Sequence, residues 1–124
     1  MGRHTYEVGL KEGITSPYPH LKQFVFSRSM KASPRSAFTL VKGDPVDLVK
    51  RLKAQGGLNI WLCGGGALAA ALHSEIDELI LKIHPVVIGA GIPLFAGPVG
   101  QMNLQLVETK TYPDGFMRVH YRRS

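Results

Sequence analysis

An α/β domain built on a mixed sheet is the fold class the sequence predicts, and three stretches carry that prediction. Ile60 to Cys63 is a short apolar run that suits a strand covered on both faces. Three glycines follow it, Gly64 to Gly66, and then the helix-forming Ala67 to Leu72. Asp44-Pro45 opens a second, strongly signalled helix. The C-terminal stretch alternates apolar and polar residues on both sides of Pro113-Asp114-Gly115, as an antiparallel hairpin does.

The chain has 124 residues, enough for one domain with a single core. Its 44% hydrophobic and 19% charged content is that of an ordinary globular protein. No apolar stretch reaches membrane-spanning length, and no cationic start leads into an apolar segment, so no membrane association is expected. Cys63 is the single cysteine and cannot form an internal disulfide, which points to the cytoplasm; in its apolar run it reads as packing rather than as a nucleophile. The net charge of +6 is compatible with nucleic acid, an anionic surface or a polyphosphate ligand. Basic residues are spread along the chain without interleaved aromatics, so a nucleic-acid partner is not expected. No histidine spacing suggests a metal site.

In chain order, Arg3 to Leu10 reads as a short helix and Gly13 to His20 as loop. Gln23 to Ser27 is a strand by its aromatic and β-branched content. Arg28 to Ser36 is a polar connection, and Phe38 to Val41 a further short strand. Asp44 can cap the next helix, with Pro45 at its first position and Val46, Val49 and Leu52 as its buried stripe. Gly56-Gly57 stops it. Strand 58–63, the glycine turn and its helix come next. Leu79 to Ile88 reads as a strand broken or bent near Pro85. Gly89 to Gly97 is a glycine-rich loop with an apolar plug at Leu94-Phe95. In the last arm Met117, Val119 and Tyr121 alternate with Arg118, His120 and Arg122, one side buried and the other basic.

A strand, a glycine turn and a helix start aim unpaired N–H groups at an anion, and the missing Cβ atoms at Gly64, Gly65 and Gly66 let one approach closely. The same layout also serves as a tight connection with no ligand. Gly64, Gly66 and Ala69 fit the dinucleotide pattern G-x-G-x-x-A, which further needs a carboxylate about 20 positions on for the ribose hydroxyls. That position falls near Lys82 and His84. A 2′-phosphorylated dinucleotide, which wants cations there, is the form left standing.

Gly2-Arg3-His4-Thr5-Tyr6-Glu7 resembles the Gly-Arg-x-Thr motif that opens a helix in dihydrofolate reductases. Ile60 to Gly66 resembles their strand ending in a glycine pair or triplet. Asp77-Glu78-Leu79, His84-Pro85 and Gly89-Ala-Gly-Ile-Pro-Leu-Phe95 are similar to the reductase half of the bacterial riboflavin-biosynthesis deaminase/reductase, which shares that fold. The resemblance implies a dihydrofolate reductase-like sheet flanked by helices, with NADPH as cofactor. It implies that Arg3, His4 and Thr5 meet the phosphates, that Ser27, Arg28 and Ser29 hold the 2′-phosphate, and that Gly64, Gly65, Gly66, Ala67 and Leu68 take the pyrophosphate. It also implies a cis peptide at Gly64–Gly65. Arg3 and Arg28 as solvated surface, with Ser27 and Ser29 as turn residues, is the alternative.

The family places a strand, a helix and a second strand ahead of the Gly-Arg-x-Thr motif, together with most substrate-side groups. Here the motif stands at the start of the sequence. The strands close up in a new order, a second copy fills the breach, or the sequence starts at an internal methionine. Dimerisation is the expected outcome, since symmetric association covers unpaired strands. The implied activity is hydride transfer from NADPH to a small heterocyclic or carbonyl substrate, with no proton donor assignable; Lys82 matches only loosely. A non-catalytic NADP-binding or dimerisation remnant and, more remotely, a basic nucleic-acid-binding domain are the rival readings.

Overall fold

The structure, a computed structural model, describes residues 1–31 and 38–124. The expected 28–36 connection therefore lies partly outside the described residues. Helix α1 (Arg3–Lys11) leads through a loop to strand β1 (Phe24–Phe26). Strand β2 (Thr39–Val41) and helix α2 (Pro45–Ala54) follow, then the short helix α3 (Gly66–Ala71) and a single 3-10 turn at His73–Glu75. Strands β3 (Glu78–Ile83), β4 (Leu104–Thr111) and β5 (Met117–Arg123) complete the chain.

The α/β class holds, with parallel and antiparallel pairings divided between two sheets. β1 and β2 are parallel, with Val25 opposite Leu40. β3, β5 and β4 form an antiparallel sheet in that order. The hairpin closes as its turn chemistry requires: Gly115 takes a φ of +82°, and the Asp114 carboxylate accepts from the Phe116 N–H at 3.1 Å. On β5 Val119 is buried, while Arg118 pairs with Glu108 on the polar face. Two apolar clusters hold the elements together. Tyr6, Val25 and Phe38 join α1 to the parallel pair; Val49, Leu68 and Leu72 join α2 to α3, with Leu62 packed against them.

α2 forms for the expected reasons. The Asp44 carboxylate accepts from the Val46 N–H at 2.7 Å, Pro45 fills the first position, and Arg51 and Lys53 occupy the last turn.

Two expectations are corrected. The stretch 58–63 is not a strand, because its backbone groups meet no ladder partner among the described residues. Leu58 is 98% exposed and Trp61 58%. The strand expected over 79–88 stops at Ile83, which pairs with Met117, the first residue of β5; the ladder ends there and Pro85 offers no N–H to extend it.

Candidate functional site

The first turn of α1 is the hub of the site. Gly2 caps it in an extended conformation with no side-chain hydrogen bond, and the turn contains no acidic residue. Gly2 also bridges to Phe26 in parallel fashion, and the Phe26 N–H donates to the Met1 carbonyl at 2.9 Å. The start of α1 is thus fixed beside the end of β1. Tyr6 locks the helix below: its ring lies 4.6 Å from that of Phe38, and its hydroxyl donates to the Thr15 carbonyl at 3.0 Å.

Arg3 reaches across that junction. Its Nη1 donates to Ser29 Oγ at 2.7 Å, its Nη2 lies 2.9 Å from His4 Nε2, and its Nε lies 3.5 Å from Glu7 Oε1. A guanidinium only donates, so His4 Nε2 is the acceptor of that contact. Ser27 is buried, and its hydroxyl accepts from the Met30 N–H at 3.0 Å, so it shapes the turn that presents Arg28 and Ser29. That hydroxyl keeps one proton to give. Arg28 is exposed and makes no hydrogen bond or ion pair with another described residue.

The glycine turn comes up against the same helix start. Gly64 and Gly65 have φ values of +79° and +101°, a region closed to most side chains. A Cβ on Gly65 would lie 3.4 Å from Thr5 Oγ1 and 3.8 Å from the Gly2 nitrogen. The expected cis peptide at Gly64–Gly65 is absent, and no cis bond occurs among the described residues. The two positive φ angles turn the chain with a trans peptide between them. Beyond the turn, the N–H groups of Gly66, Ala67 and Leu68 meet no acceptor among the described residues. Ala67 is exposed, whereas the Leu68 side chain is buried in the second cluster, leaving only its backbone for a ligand.

The fold therefore brings Arg3, His4 and Thr5 next to Ser29 on one side and next to the glycine turn on the other. Behind the turn, the Cys63 thiol donates to the Tyr18 hydroxyl oxygen over 3.4 Å, and Trp61 packs edge-on against the Tyr18 ring at 4.8 Å. The neighbouring Cys63 side chain, helped by burial, pushes the Tyr18 phenol above its usual value. Residue patterns gave no sign of this pair, whose members are distant in the chain. The Gly89 to Gly97 loop also joins the site, as the Ala96 N–H donates to the Gly66 carbonyl at 2.9 Å. Its run of glycines was the available signal. No group of three or more His, Cys, Asp or Glu side chains that could hold a metal ion occurs among the described residues.

Residues 18–117 match the RibD C-terminal domain family. The chain belongs to that family. It is 35% identical over 102 residues to the uncharacterized protein YyaP of Bacillus subtilis (strain 168), covering 81% of this chain and 54% of that one. It thus spans about half the length of that relative. A crystal structure from Shewanella sp. PV-4, described as a riboflavin biosynthesis protein, superposes over all of this chain and 72% of its own, with a TM-score of 0.84 and 28% identity. The Thermotoga maritima diaminohydroxyphosphoribosylaminopyrimidine deaminase/5-amino-6-(5-phosphoribosylamino)uracil reductase shares the fold at 14% identity and a TM-score of 0.63, covering 91% of this chain and 36% of its own. The RibD C-terminal domain chain thus has the reductase-type fold that its ordered motifs implied.

Proposed function

We propose that this RibD C-terminal domain protein binds NADPH and serves hydride transfer to a small heterocyclic or carbonyl substrate. One observation carries the reading. The first turn of α1 touches both the Ser27–Ser29 turn, through the 2.7 Å contact of Arg3 with Ser29, and the glycine turn, through Thr5. A cation, two hydroxyls and free backbone donors on one surface suit a ligand with separated phosphates. Arg28, with no partner among the described residues, and Ser29 would hold the 2′-phosphate. Arg3, Thr5 and the N–H groups of Gly66 to Leu68 would hold the pyrophosphate. Bound there, NADPH supplies the hydride; the chain binds and orients it.

Calorimetric titration tests this. NADPH should bind in preference to NADH, and Arg28→Ala should weaken NADPH about tenfold while leaving NADH unchanged, the size expected for one charge-assisted contact. Absence of NADPH binding in a folded sample defeats the proposal.

A non-catalytic, NADP-binding role is the second reading. It is favoured by the unpaired 58–63 stretch next to the glycine turn and by the exposure of Lys82, the loosely matched acid. Steady-state oxidation of NADPH with a panel of pterin and pyrimidine substrates separates the two, since only the enzyme turns over. A homodimer in a reducing cytoplasm completes the proposal.

A further inference from the structure

Gly89 to Gly97 is accounted for neither by the two apolar clusters nor by the dinucleotide contacts above. Its middle is seated on the glycine turn. A Cβ on Gly66 would lie 2.5 Å from the Pro93 carbonyl oxygen and 3.0 Å from Ala96 Cβ. Gly66 lacks the positive φ of Gly64 and Gly65, so the close approach of this segment is what its missing side chain permits. On the other side, Phe95 lines a small apolar cavity of about 230 Å³ with Leu79, Met102 and Leu104.

The Ala96 N–H donates to the Gly66 carbonyl at 2.9 Å. That carbonyl belongs to the same peptide unit as the Ala67 N–H, which has no acceptor among the described residues. A hydrogen bond accepted at one end of a peptide unit strengthens the donor at the other and fixes its plane. We infer that Ala96 is a positioning residue of the dinucleotide site, acting through the Gly66–Ala67 peptide to hold and polarise the Ala67 N–H for an anionic ligand. This rests on the dinucleotide reading above. Linkage makes the effect mutual: a pyrophosphate on Ala67 tightens the Ala96 contact.

Ala96→Pro removes the donor and leaves the sequence of Gly64 to Leu68 unaltered, with a ring carbon in place of the N–H that faced the Gly66 carbonyl. NADPH and NADH should both bind about fivefold more weakly to it, their ratio unchanged, the lower end of ordinary coupling between sites. A merely structural role would lower the melting temperature and leave both affinities as they are. Hydrogen exchange on the unaltered protein gives an independent reading, with the amides of Ile92 and of residues 94–97 slowed when NADPH is added. NADPH bound by the unaltered protein with no slowing at those amides overturns the inference, as does equal affinity in a folded Ala96→Pro variant. Failure of the unaltered protein to bind NADPH overturns the dinucleotide reading instead.

Discussion

Val25 and Arg28 lie three positions apart on and just beyond β1, and they play opposite parts. Val25 is fully buried between α1 and β2 in the Tyr6–Phe38 cluster. Truncating it leaves a void next to the helix that carries Arg3, His4 and Thr5. Val25→Ala should cost about 2 kcal/mol by the usual transfer and cavity terms, read as a drop in the denaturant midpoint. Arg28 has no packing role, so its removal should change ligand selectivity and spare stability. Much of this was legible in the residues. Asp44 and Pro45 act as their types demand, and Arg3 and Ser29 do meet. Ser27 shows the limit: a serine in a turn motif and a serine facing a phosphate have the same local sequence, and only the fold puts its Oγ opposite the Met30 N–H.

Among the elements, legibility tracked how local the stabilising forces are. α2 is fixed by its own cap, proline and stripe, and it forms as read. The hairpin is fixed by Asp114 and Gly115. Stretch 58–63 has a strand's composition, but a strand exists only through its neighbours, and composition carries no information about who they are. The antiparallel sheet adds a charged ladder that periodicity alone did not reveal. Glu78 on β3 receives Arg122 at 3.0 Å and His120 at 3.1 Å from β5. These hydrogen bonds, Arg122 first, hold the Glu78 carboxyl below its ordinary value of 4.5. A depressed carboxyl stabilises the fold above its unfolded-state value, and that contribution disappears as the pH falls through the folded-state value. Glu78→Gln should therefore flatten part of the acid-side decline in melting temperature, and an unchanged acid limb would count against the ladder. Glu78 lies at the solvent-exposed surface, which keeps the effect small.

For the whole molecule, the separation into two sheets is the feature with most consequence. Leu58, Ile60 and Trp61 stand in solvent between residues that belong to one sheet or the other. We propose that a second copy covers them, as the reading of the sequence anticipates. Sedimentation should show a concentration-dependent dimer that Trp61→Ser weakens about tenfold, the loss typical of a buried aromatic anchor. A monomer at every concentration sinks the proposal. No helix among the described residues is long and apolar enough to cross a membrane.

β4 is one of the two edge strands of the antiparallel sheet, β3 being the other, and it is exposed along its whole length. It breaks register between Leu106 and Glu108, leaving Val107 as an extra residue, and it carries Glu108 and Lys110 just beyond. A bulge and alternating charge make a poor template for edge-to-edge growth. These features make the β4 edge a poor place for fibrillar stacking, and they leave the apolar stretch beside the glycines as the surface for the second copy proposed above.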